Sequence, residues 1–113
     1  MTEDAGIVIV LVTGPDRETL VEIGRRVVEN RLAACANVLD GVSSVYRWKG
    51  SVEEAGEALA ILKTTQARTG PLEDSVRAMH PYEEPEFIVL PVLGGSDSYI
   101  EWVARSVAES PED

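Results

Sequence analysis

The sequence predicts a single α+β domain, and three observations carry that prediction. Strand-like runs of Val and Ile alternate with stretches of helical periodicity along the 113 residues. Two of the strand-like runs are separated only by a tight turn, Lys49-Gly50-Ser51. The composition, 44% hydrophobic and 27% charged, is that of a chain folding round one core. A domain of this length buries such a core without disulfides or a structural metal. With no linker or internal repeat, residues 1–113 read as one domain.

The elements follow in order. Residues 6–13 are a run of Ile and Val with apolar side chains on both faces, the pattern of a strand buried on two sides. Gly14-Pro15-Asp16 breaks it, and Asp16 is placed to cap a helix over Arg17–Glu29. In that helix Leu20, Ile23 and Val27 fall on one face with Gly24 and Val28 beside them, and Asn30 is suited to the left-handed conformation that ends it. Residues 33–39 and 42–48 form one long strand bent at Asp40-Gly41. Beyond the bend Val42, Ser44, Tyr46 and Trp48 share a face. Residues 54–64 return as the other half of a long hairpin.

Gly70-Pro71 opens a second helix, with Leu72, Val76 and Met79 at i, i+4 and i+7. It stops near His80, because Pro81 disfavours helical geometry in the residue before it. Residues 87–92 are a strand whose Pro91 suits an end or an edge. Residues 94–98 are a loop carrying capping residues, and Tyr99, Trp102, Val103 and Val107 mark a last short helix. Residues 109–113 are an acidic tail expected to be loose. The order strand, helix, strand, strand, helix, strand, helix is the split βαβ plan of the ferredoxin-like fold, an antiparallel sheet covered by helices on one side.

Composition narrows the function classes. Twenty acidic residues against ten basic ones give a formal net charge of -10, which repels a phosphate backbone, so nucleic acid is not an expected partner. No apolar run is long enough to cross a bilayer and no secretory signal opens the chain, so no membrane partner is expected and the default compartment is the cytoplasm. Cys35 stands alone, so it forms no intrachain disulfide; flanked by Ala34 and Ala36, it reads as a small buried hydrophobe, unreactive to thiol reagents.

Catalytic signatures do not appear. There is no nucleophile elbow, P-loop, paired-cysteine motif or His-Glu-x-x-His helix, and a single histidine builds no triad, so the chain does not read as an enzyme. The one concentration of chemistry is His80-Pro81-Tyr82-Glu83-Glu84-Pro85-Glu86, where two prolines stiffen a loop bearing an imidazole, a phenol and three carboxylates between a helix and a strand. The bland alternative is a solvated connector. A second anomaly is Tyr46 and Trp48 near the hairpin tip, beyond the reach of the helices; an aromatic strand tip suggests a subunit interface unless both rings fold back onto their own sheet.

Four blocks occur in register: Arg31-Leu32-Ala33-Ala34-Cys35-Ala36-Asn37, Gly41-Val42-Ser43-Ser44-Val45-Tyr46-Arg47-Trp48-Lys49-Gly50, Leu62-Lys63-Thr64-Thr65 and His80-Pro81-Tyr82-Glu83-x-Pro85-Glu86. Together, and with Tyr99-Ile100-x-Trp102 after them, they closely resemble the CutA family of divalent-cation-tolerance proteins. The resemblance covers residues 7–107. It implies a ferredoxin-like subunit in a tight homotrimer, with Tyr46 and Trp48 at the trimer interface as the long hairpins reach across to neighbours. It also implies tolerance to copper and other divalent ions, proposed copper binding, and no established reaction. Some bacterial members carry a cysteine in the first strand and two adjacent histidines before the proline as proposed copper ligands; here those positions are Val12, Met79 and His80.

Two functional readings follow. In the first, a metal-responsive trimer holds a divalent ion, copper foremost, weakly at His80 with nearby carboxylates. In the second, a regulatory or scaffold trimer binds a small molecule or a partner protein in clefts between subunits, lined by Lys63, Tyr82, Glu83 and Glu86 with His80 nearby. A third, an enzyme using His80 as a general base, finds no nucleophile in the sequence.

Overall fold

The computed structural model describes residues 6–109, so residues 110–113 of the acidic tail lie outside the described residues. The chain runs β1 (Ile7–Gly14), α1 (Arg17–Glu29), β2 (Cys35–Trp48), β3 (Ser51–Thr65), α2 (Thr69–Met79), β4 (Ile88–Pro91) and α3 (Asp97–Ser106), with a 3₁₀ turn at Gln66–Arg68 leading into α2. The four strands make one antiparallel sheet in the order β2-β3-β1-β4, as the element order requires. Asp16 caps α1 as expected, its side chain accepting the Thr19 N–H at 2.8 Å. Pro91 ends β4, an edge strand, where a missing N–H removes nothing the sheet needs.

Because opposed residues share a face, the registers separate the sheet into two sides. On one side Val8, Val10 and Val12 of β1 and Leu62 of β3 pack with Leu20, Ile23 and Val27 of α1 and with Leu72 and Val76 of α2. Each fully buried Leu or Val there stabilises the fold by roughly 1.5–3 kcal/mol relative to exposure. The approach of α1 to β2 depends on Gly24, since a Cβ at that position would stand 2.8 Å from Ala36 Cβ.

The other side differs from a sheet with helices on one face alone. There α3 crosses one end, where Val103 and Val107 pack on Ile7 and Ala34. The rest of that side bears Ile9, Leu11, Leu59 and Ile61, all half-buried, with Leu39, Ile88 and Leu90 more exposed. It is a contiguous apolar surface that nothing among the described residues covers.

The helix ending also departs from expectation by one residue. Asn30 keeps φ −90°, and Arg31 takes the left-handed conformation at φ 59°. The N–H of Leu32 bonds Val27 O and that of Arg31 bonds Val28 O, the two bonds of a Schellman ending. Arg31 is held there by its guanidinium, which donates to Ser106 O at 3.1 Å, and by its carbonyl, which accepts from Arg68.

The long bent strand forms as one element. Leu39 pairs with Leu59 and Val42 with Glu57, so β2 carries one extra residue there, with Gly41 at φ 72°. Beyond the bulge, residues 42–57 pair only with each other, making a two-stranded arm on a molecule 47 Å long and 25 Å wide. Lys49 and Gly50 close the tip, both at positive φ.

Candidate functional site

The arm and the loop after α2 enclose a cleft of about 790 Å³ on the uncovered side of the sheet. Tyr46, Trp48 and Glu57 line it from the arm, Tyr82, Glu83 and Glu86 from the loop. Thr13 and Ile88 form part of the floor. The bulge at Gly41 is what brings this about: by adding a residue to β2 it puts Val42, Ser44, Tyr46 and Trp48 on the same side as Leu39 and Glu57.

The loop is anchored by His80. Pro81 forces His80 into an extended backbone, ψ 136°, which ends α2 and turns the imidazole under the loop. The ring is only 8% exposed. Nδ1 accepts the Tyr82 N–H at 3.1 Å and Nε2 lies 2.8 Å from Thr13 O. An N–H only donates and a carbonyl only accepts, so these partners fix the Nε2–H tautomer. The imidazole joins the end of β1 to the loop, and both its nitrogens are used in doing so.

Tyr82 carries the connection onward to the arm. Its ring centroid lies 4.7 Å from that of His80, and its hydroxyl donates to Glu57 Oε2 at 2.5 Å. Burial and this bond to a carboxylate push the Tyr82 phenol above the ordinary tyrosine range. Thr13 Oγ1 donates to Glu86 Oε1 at 3.4 Å, a looser tie between β1 and the far end of the loop.

Four blocks of sequence thus meet in one chain, and the model of the CutA1 divalent ion tolerance proteins matches residues 8–106. The chain belongs to that family. Protein CutA of Homo sapiens is 47% identical over 102 residues, 90% of this chain and 56% of the relative. The chloroplastic Protein CutA of Arabidopsis thaliana is 44% identical over 99 residues, 88% of this chain and 54% of the relative. The chain therefore spans just over half the length of these two curated relatives. The divalent-cation tolerance protein CutA of Thermus thermophilus, 42% identical, is covered over 95% of its length. Among solved structures, CutA1 from Oryza sativa superposes with a TM-score of 0.91 at 37% identity, covering 96% of this chain and 100% of that one.

The family's proposed copper positions do not form a metal centre here. Val12 is 1% exposed and offers only hydrocarbon. Met79 packs against the core, and His80 has no ring nitrogen free of a backbone partner. No group of three or more His, Cys, Asp or Glu side chains stands in metal-binding proximity among the described residues. The weak metal site expected at His80 meets this geometry: the ring serves as a clamp between two backbone groups, and a metal would have to displace one of them.

Of the residues expected in a cleft between subunits, Tyr82, Glu83 and Glu86 line this cleft within one chain and Lys63 does not. Lys63 lies six residues along β3 from Glu57, roughly 20 Å at strand rise, where its ammonium donates to Asn37 Oδ1 at 2.7 Å. Register, not loop sequence, decided that placement. Tyr46 and Trp48 do not fold back onto the sheet; both stay more than 40% exposed.

Cys35 also differs from expectation. Ala34 lies just before β2 and is buried against α3, but the pairing of Cys35 with Lys63 sets Cys35 on the same side as Ile9, where it is half-exposed and its thiol lies 3.8 Å from Tyr99 Oη and 3.7 Å from Asn37 Oδ1. Glu57 and Thr13 were missed in the sequence. Glu57 had a signal, the two-residue alternation that puts it on the same side of β3 as Glu53, which opposes Tyr46.

Proposed function

We propose that this chain acts in divalent-cation tolerance as a homotrimer and works by binding, without a catalytic step. The observation that carries the assembly is the uncovered side of the sheet. Ile9, Leu11, Leu39, Leu59, Ile61, Ile88 and Leu90 form one apolar surface, continuous with an arm that has no support of its own. An isolated two-stranded ribbon is marginal in water, and a contiguous apolar face of this kind marks an interface. A second copy of the chain supplies a matching face, and trimer formation covers both the face and the aromatic arm. The binding reading is supported by His80, whose engaged nitrogens leave neither to take a substrate proton.

Light scattering tests the assembly: three chain masses are expected at micromolar concentration, and Leu59→Glu, placing a charge in the face, shifts the mass toward one chain. A wild-type monomer at that concentration overturns the proposal.

The cleft favours the second reading, in which the trimer binds a small molecule and responds to metal indirectly, over direct copper ligation at His80. A cleft of about 790 Å³ is within the size of small-molecule sites. No helix among the described residues is long and apolar enough to cross a membrane. Cytoplasmic location is part of the same proposal, tested by cell fractionation, since named relatives include chloroplastic and periplasmic proteins.

A further inference from the structure

We draw no further inference here: the strongest candidate, the acidic and aromatic cleft between the arm and the loop after α2, is bounded by the surface that belongs to the contact between copies, and its Glu57, Glu84, Glu86 and Trp48 already have partners in Tyr82, Arg77, Thr13 and Lys49.

Discussion

Tyr82 and Glu57, twenty-five residues apart in sequence, are joined by a 2.5 Å hydrogen bond that ties the loop after α2 to the base of the arm. The bond requires the phenol to keep its proton. Burial first, and then the bond to Glu57, raise the Tyr82 pKa above the ordinary tyrosine value of about 10. Folding therefore favours the protonated phenol: the contribution to stability is fully present below that ordinary value and is lost as pH rises through the higher folded one. In an alkaline titration followed by phenolate absorbance, Tyr82→Phe should remove a late-titrating component. Glu57→Gln should move that component to lower pH without restoring the ordinary value, because burial remains. A component unmoved by Glu57→Gln would show that the bond does not form in solution.

Arg31 occupies a left-handed position that glycine fills at less cost, and it is tied to Ser106 O through its side chain. Two substitutions separate these effects. Arg31→Gly and Arg31→Ala both lose the link to α3, but only alanine keeps a Cβ at φ 59°. Arg31→Ala should be less stable than Arg31→Gly by about 1 kcal/mol in urea unfolding. Equal stability would mean that the backbone relaxes out of the left-handed region once the guanidinium is gone.

Gly24 sets two effects against each other. Alanine is the better helix former by about 1 kcal/mol, but its methyl would meet Ala36 Cβ at 2.8 Å, and overpacking a helix–sheet contact costs about 1–3 kcal/mol. Gly24→Ala is expected to be net destabilising by about 1 kcal/mol. The double variant Gly24→Ala/Ala36→Gly removes the clash and should recover part of the loss in thermal unfolding. A single variant more stable than wild type would show that α1 shifts freely over β2.

These residues also show how far the sequence was legible. Local signals carried through: Asp16 capped its helix, Pro81 stopped another, and Asp40-Gly41 bent the long strand, each because the cause lies within a few residues. Arg31 did not, since no propensity marks arginine as left-handed; its tether at Ser106 is 75 residues away. Lys63, expected in a cleft between subunits, stands outside the cleft within one chain because strand register puts it opposite Cys35. His80 was read as the centre of a rigid loop, and what the sequence did not show is that both its ring nitrogens are engaged by backbone groups. Its partner Thr13 O is 67 residues distant, and a backbone carbonyl leaves no trace in the side-chain sequence.

That last point yields the sharpest prediction. If His80 is a clamp, its loss should be felt in stability and not in copper binding. His80→Ala strips the half-buried Thr13 carbonyl and the Tyr82 N–H of their partners. Each net hydrogen bond is worth about 0.5–1.5 kcal/mol, and an unsatisfied buried group costs about 1–3 kcal/mol. Allowing for water entering the space left by the ring, a loss of about 2–4 kcal/mol is expected in denaturant unfolding. Loosening of the loop should follow, seen as an earlier Tyr82 component in the alkaline titration. Copper, measured at neutral pH and moderate salt, should bind His80→Ala and wild type alike, and what binding there is should fall as salt screens the surface of a chain with net charge -10. The opposite pattern, unchanged stability with copper affinity reduced at least about tenfold, would make His80 a ligand after all and require one of its two backbone bonds to open in solution.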